Sequence, residues 1–202
     1  LGFNVSPLWT PLRNQDDKPL INVGFVYRHG ANLNLDGEFL AAGAKLADAN
    51  TTIELPDVYT WAIAGWPIRN SAREWKIEVD VEYADWSDFE DLNLRLSNGA
   101  TIPQRRNYGD AWIVMLGSEY KLLEPAILPD WNLAMRLGYV HSQTPVRSRT
   151  LDPANPDSAY NAVSGGIGFH CHGKGKFLGF IPCSGLGIKS MGMDLAYQAV
   201  MY

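Results

Sequence analysis

The sequence predicts an all-β chain, the wall of an antiparallel transmembrane β-barrel with about eight strands, on three observations. Apolar residues recur at every second position over several stretches. The connectors between those stretches alternate between short and long. Trp and Tyr gather near the stretch ends. Alternation sends successive side chains to opposite faces of a pleated strand, so each stretch carries one apolar and one polar face. Short turns at one end, long loops at the other and an outward apolar band rimmed by aromatics are what a barrel in lipid requires. A soluble or surface β-sandwich acting as a binding module also alternates, and on pattern alone it stays open as the alternative.

Composition removes other classes. The 202 residues carry 22 Asp plus Glu against 17 Lys plus Arg, a net charge of −5, with no basic run to neutralise nucleic-acid phosphates. Charged residues are 19% of the chain, and seven Trp with nine Tyr argue against disorder. No stretch reaches the ~18 consecutive apolar residues of a membrane helix. The longest oily run, Phe177 to Ile188, is broken by Pro182. The chain opens at Leu1 inside an apolar run with no basic n-region or cleavage site, and so reads as mature or truncated.

In chain order, residues 1–9 form a weak strand. Ile21, Val23, Phe25 and Tyr27 then alternate against Asn22, Gly24, Val26 and Arg28. Residues 57–66 follow. Trp75, Ile77, Val79, Val81 and Tyr83 next oppose Glu74, Lys76, Glu78, Asp80 and Glu82 in the clearest strand of the chain. After 110–121 come Leu133, Met135, Leu137 and Tyr139 against Ala134, Arg136, Gly138 and Val140, then 159–169. Last come Met193, Leu195, Tyr197, Ala199 and Met201 against Asp194, Ala196, Gln198 and Val200. Short turns are expected at 10–19, 67–72 and 122–130, and long loops at 36–56, 93–109 and 142–158. Trp9, Tyr27, Tyr59, Trp61, Trp66, Trp75, Tyr83, Trp86, Trp112, Tyr120, Trp131 and Tyr139 are expected as interfacial girdles. Tyr202 shares parity with Asp194 and Gln198, which places it on the polar face.

The motifs carry a resemblance. Leu55-Pro56-Asp57-Val58-Tyr59 opens one strand, and Tyr83-Ala84-Asp85-Trp86-Ser87-Asp88-Phe89-Glu90-Asp91-Leu92 closes the next. Tyr108-Gly109-Asp110-Ala111-Trp112 enters the strand after that. Arg136-Leu137-Gly138-Tyr139, Thr144-Pro145-Val146 and Pro156-Asp157 complete the set. In this order, over residues 20–170, it resembles the FadL family of outer-membrane transporters for long-chain fatty acids and other hydrophobic compounds.

The resemblance implies a 14-stranded barrel plugged by an N-terminal hatch, with passive uptake from an outer capture site to a lateral gap in an early strand. The eight strands would match roughly the sixth to the thirteenth. Residues 1–202 would then be one partial barrel domain without the hatch or early strands, and a further strand is expected after Tyr202. It implies the outer membrane of a Gram-negative bacterium and a hydrophobic substrate such as a long-chain fatty acid. Outer-membrane lipid and lipopolysaccharide would surround a barrel that is monomeric when complete. It implies no cofactor, no nucleic acid and no enzymatic step. A barrel with a structural or adhesive role is a further alternative.

Within that frame, a mid-strand cation on the polar face suits a carboxylate headgroup, which singles out Arg28 and Arg136; the competing reading is an internal ion-pair network. Glu78, Asp80 and Glu82 read as lumen-facing acids rather than a catalytic carboxylate pair. Glu38 to Asp48 is rich in helix formers and reads as a loop helix. By the resemblance, its Phe39, Leu40 and Leu46 would line an outer capture groove, and otherwise they pack on the barrel rim. Cys171 and Cys183 suit a disulfide outside the cytoplasm. A metal site with His172 lacks the paired Cys-x-x-Cys spacing, and two free thiols are the third reading. No metal is assigned. The sequence has no nucleophile elbow, Walker A or His-Glu-x-x-His motif.

Overall fold

A computed structural model describes residues 2–151, 157–177, 179–184, 187 and 189–202. Pro156 of the Pro156-Asp157 pair therefore lies outside the described residues. The strands are β1 (Asn4–Val5), β2 (Leu8–Arg13), β3 (Pro19–Arg28), β4 (Asn32–Ala41), β5 (Ala44–Glu54), β6 (Asp57–Arg69), β7 (Arg73–Asp85), β8 (Leu94–Leu96), β9 (Thr101–Ile102), β10 (Ala111–Leu123), β11 (Trp131–Ser142), β12 (Tyr160–His172), β13 (Lys176–Phe177), β14 (Ile181–Pro182) and β15 (Ser190–Met201).

Nine of them make one antiparallel sheet in the order β1-β3-β6-β7-β10-β11-β12-β15, with β2 also paired to β3. The expected eight strands become nine because the first is two pieces. β1 and β2 both pair with β3, and the break falls at Ser6–Pro7, where proline has no N–H to donate. β2 also runs on to Arg13, into the expected 10–19 turn. Among the described residues, nothing pairs with the outer edge of β15 or of the β1–β2 strand.

One register runs through the whole ladder. Tyr27 faces Tyr59, Tyr59 faces Tyr83 and Tyr83 faces Trp112. Further along, Leu116 faces Tyr139, Leu137 faces Gly165, and Gly165 faces Tyr197. The apolar rows of successive strands therefore merge into one continuous face, and the polar rows into the other. Leu137, Leu195 and Tyr197 on the apolar face are 70%, 68% and 77% exposed, so among the described residues no second sheet packs against them. That removes the sandwich. Tyr202 follows β15 with its ring 6.3 Å from Tyr160, which stands on the face of Ala162 and Ser164, the polar side.

The aromatics divide between two levels. At the long-loop end Phe3, Tyr27, Tyr59, Tyr83 and Trp112 touch in series, with centroid separations of 5.8, 5.1, 6.1 and 4.9 Å. At the short-turn end Trp75 faces Tyr120 and donates from Nε1 to Ser118 Oγ at 3.0 Å. Two expected girdle residues lie elsewhere. Trp66 shares parity with Ala62 and Ala64 and faces inward. The extra residue of β6 between Gly65 and Ile68, which accommodates Pro67, resets the alternation so that Arg69 also turns inward, its guanidinium 4.5 Å from the Trp66 ring centroid. Trp86 belongs to a loop core described below.

The long loops carry a separate four-stranded sheet, β4-β5-β8-β9. This overturns the helix expected over Glu38–Asp48. Its residues are strand, because the alternation begins upstream at Leu33 and Leu35 and pairs Leu33 with Ile53 and Phe39 with Ala47. The two-residue turn Ala42-Gly43 has φ of 48° and 81°, the left-handed pair that matches a twisted hairpin. Leu46 is the extra residue of a bulge, where pairing shifts between Phe39 and Leu40.

At the opposite end Cys171 and Cys183 form a disulfide, with Cα atoms 5.7 Å apart, and both are fully buried.

The facing of Leu137 yields a test. An arginine there sits at mid-depth on the outer face and is expected to lower unfolding free energy in lipid vesicles by about 2–4 kcal/mol. Gln198→Arg, on the opposite face, should cost about 0.5 kcal/mol or less. Equal costs in urea titrations followed by tryptophan fluorescence would contradict the assigned faces.

Candidate functional site

The inward face combines long charged side chains with small neighbours. Ala64, Ala84, Ala111, Ala134 and Ala162 are all buried beneath longer side chains of adjacent strands. Arg136 on β11 donates from Nε to Glu119 Oε2 of β10 at 2.6 Å, and from Nη1 to Asp194 Oδ1 of β15. Asp194 also lies 3.7 Å from His170 Nε2 of β12. To reach β15, Arg136 must pass over β12, and it does so at Gly168. A Cβ there would lie 2.4 Å from Asp194 Oδ1 and 3.0 Å from Arg136 Nη1. Four consecutive strands are tied through one guanidinium.

Lower on the same face, Arg69 bonds Glu74 at 3.3 Å, Lys18 approaches Glu74 at 3.7 Å, and Lys76 pairs with Glu78. Asp80, between Ala62 and Met115 in register, makes no hydrogen bond or ion pair among the described residues. Glu82 accepts from Thr60 Oγ1 at 3.0 Å and lies 3.7 Å from Arg28 Nη2. Sequence ranks Arg28 and Arg136 together, yet the structure separates them. Arg136 is held by two carboxylates, whereas the Arg28 side chain is 58% exposed and has one distant partner.

Arg28 stands in a cavity of 470 Å³ at the long-loop end of the polar face. Its apolar walls are Leu55, Pro56, Val58, Trp86, Ile113 and Pro145, with Glu82 beside the cation. A size of roughly 300–1,000 Å³, apolar walls and a few convergent polar groups are the usual make-up of a small-molecule pocket. Asp57 fixes one wall: its Oδ1 accepts from Gly30 N at 2.6 Å and lies 3.0 Å from His29 Nδ1, and its Oδ2 accepts from Tyr27 Oη at 2.9 Å. This explains the Leu55-Pro56-Asp57 motif, whose carboxylate clamps the chain leaving β3 to the chain entering β6.

The Tyr83–Leu92 and Tyr108–Trp112 motifs meet across the neck of the 86–110 loop. Phe89 and Tyr108 are buried, and Trp86, Phe89 and Tyr108 make edge contacts at 6.0, 5.8 and 5.1 Å. Asp110 Oδ1 accepts from Ser87 N at 3.1 Å. Burial would raise the Asp110 pKa, but the hydrogen bonds from Tyr83 and from the Ser87 amide outweigh it and hold the carboxyl below its ordinary range. The sequence places Trp86 in a motif and a girdle and Pro145 in a motif, and neither placement identifies them as cavity wall. Their spacing in the motifs was the available signal.

Phe39, Leu40 and Leu46 ride on the β4–β5 hairpin and do not line this cavity. Phe39 is half-buried, while Leu40 and Leu46 are 56% and 63% exposed. Among the described residues no three His, Cys, Asp or Glu are arranged to hold a metal ion.

Gly168→Ala is expected to push Asp194 and Arg136 apart and to loosen β15, lowering stability by about 1–3 kcal/mol. Combined with Asp194→Asn the losses should be less than additive; full additivity in urea titrations would contradict the bridge. Phe89→Ala should cost about 3 kcal/mol and disorder the loop neck. A depressed Asp110 stabilises that neck above the ordinary aspartate range, and the contribution is lost as pH falls through the folded value. Exchange of the Ser87 amide should accelerate there, and Asp110→Asn should abolish the step.

The family described as outer membrane protein transport protein (OMPP1/FadL/TodX) matches residues 1–176. The long-chain fatty acid transport protein of Escherichia coli O6:H1 is 24% identical over 163 residues, covering 71% of this chain and 34% of that protein. The protein of the same name from Salmonella typhi is 25% identical over 118 residues, covering 58% of this chain and 25% of that one. The chain thus spans about a third or less of the length of these relatives. In the crystal structure of a Pseudomonas aeruginosa FadL homologue, 43% of that chain superposes on 98% of this one at a TM-score of 0.71 and 21% identity. The Ralstonia pickettii toluene transporter TbuX covers the same 98% at a TM-score of 0.51 and 16% identity, with 46% of its own chain. These likenesses show the fold. With the family match running from the first residue through the whole of β12 to the start of β13, the chain belongs to the outer membrane protein transport protein (OMPP1/FadL/TodX) family.

Proposed function

We propose that this chain forms part of the wall of an outer-membrane barrel that takes up hydrophobic compounds passively, with long-chain fatty acids as the preferred class. The observation that carries this reading is the cavity behind the long-loop end, where apolar walls surround a loosely paired Arg28. A fatty acid offers a long apolar chain and one carboxylate. A guanidinium presents the fork that matches that carboxylate, and the apolar walls take the first part of the chain. Arg136 then serves as an internal tie rather than a headgroup site. The names of the curated relatives support the same substrate class.

The reading sets the apolar face in the outer membrane of a Gram-negative bacterium, the long loops outside and the short turns toward the periplasm. The open edges of the sheet carry unpaired backbone groups, which lipid cannot satisfy, so the wall is closed by further strands. Fatty acid would meet the loop sheet, enter the cavity past Leu55 and Trp86, and descend along the inward face. No covalent step is involved.

Arg28→Gln should weaken binding of a long-chain fatty acid about tenfold, the loss expected when a charged hydrogen bond becomes neutral. Binding of the corresponding methyl ester should change little. The check is fluorescent fatty acid titration and labelled uptake by cells whose own copy carries the substitution. An equal loss for acid and ester would overturn the headgroup role, and unchanged uptake of both would overturn the site.

A further inference from the structure

At the short-turn end, the chain after β12 folds onto the outer face of the wall. Cys171 shares its face with Phe169 and Ile167, the apolar row, and its disulfide to Cys183 draws β13 and β14 over that row. Cys183 N donates to Gly175 O at 3.0 Å. A Cβ on Gly175 would lie 2.5 Å from Cys171 Sγ and 3.1 Å from Asp130 Cβ, so only glycine permits this approach. Phe177 then stacks on Trp131 at 6.0 Å and 21°.

The fold-back leaves a slot of 420 Å³ between hairpin and wall. Its floor is Trp131, Phe169 and Met193, three members of the outward apolar rows, and its sides are Leu128 and Phe177. Lys176 stands at its lip with no acidic partner among the described residues. Phe180 and Ile127, next in sequence to the lining residues Gly179 and Leu128, are 72% and 84% exposed. The slot is continuous with the surface that meets lipid, and its one charge is positive.

We propose that this slot holds one acyl chain of an anionic glycerophospholipid from the surrounding leaflet, with the phosphate on Lys176. The proposal rests on the membrane-spanning reading above. Continuity with the lipid-facing rows names the chain, and the unpaired ammonium names the headgroup charge. The hairpin thereby anchors the sheet at a fixed depth.

The experiment uses the whole chain in bilayer nanodiscs containing phosphatidylglycerol or phosphatidylcholine with brominated acyl chains, which quench tryptophan on contact. The Trp131 signal is the difference between the unmodified protein and Trp131→Phe. It should be quenched about threefold more by the brominated phosphatidylglycerol than by the phosphatidylcholine at equal mole fraction. Lys176→Gln, at an exposed side chain, should remove that preference. Equal quenching by the two lipids, or a preference that survives Lys176→Gln, would overturn the proposal. So would displacement of the phosphatidylglycerol by an equimolar free fatty acid, which would make the slot a cargo site. The remaining tryptophans, which include outward-facing Trp61 and Trp112, test the membrane reading separately. If neither lipid quenches them, that reading fails, whereas their quenching without a Trp131 preference overturns the slot alone.

Discussion

The unbroken antiparallel ladder from β3 to β15 is the constraint on which every other feature depends. A bilayer offers no water to bond free N–H and C=O groups, so a spanning sheet must satisfy them between strands. Once that pairing is fixed, side-chain parity is fixed with it, because a one-residue slip would send a whole row to the wrong face. Tyr27, Tyr59, Tyr83 and Trp112 can touch in series only because four strands keep one register. The same register sets Glu119 beside Arg136 on the opposite face and places Asp194 two residues along, next to Gly168, within diagonal reach of the guanidinium.

Two local features of the ladder give an inward side chain room or direction. The extra residue in β6 accommodates Pro67 and brings Arg69 to the inward face, over Trp66. Gly168 removes the side chain that would block Arg136 from Asp194. Both serve inward polar contacts, the first by a bulge and the second within an unbroken register, which follows from where the free-energy penalties lie. An unpaired charge on the inward face can still meet water, but a gap in the outward face cannot.

Period-two rows made most of the ladder legible from sequence, since Trp75 to Tyr83 and Met193 to Met201 display parity without any knowledge of partners. The β4–β5 hairpin was not legible, because the helix-forming composition of Glu38–Asp48 masks the alternation that Leu33 and Leu35 begin just upstream. Local propensity lost to pairing with Ile53 and Thr51 across the turn. Arg28 and Arg136 looked equivalent because each is an arginine on an inward row. What distinguishes them is Asp194, 58 residues from Arg136 in sequence and adjacent only through two intervening strand pairings. The cavity wall was half-legible: its motif residues were visible, but their convergence depends on the loop neck closing around Phe89 and Tyr108.

The two ends of the wall solve the interface problem differently, and the difference follows from what their strands supply. At the long-loop end the strands themselves carry the aromatic row from Tyr27 through Trp112, and Phe3 extends it just before β1. At the short-turn end β15 begins with Ser190, Met191 and Gly192, and β12 ends with His170, Cys171 and His172, so neither brings a ring to the outer face beyond Phe169. The hairpin brings Phe177 to stack against Trp131 and presents Phe180 beside it. A disulfide is a suitable tie for such a segment, because β13 and β14 are two residues each and cannot hold position by backbone pairing alone. The covalent bond sets where the rings sit, and the rings complete an interface that the strands leave thin.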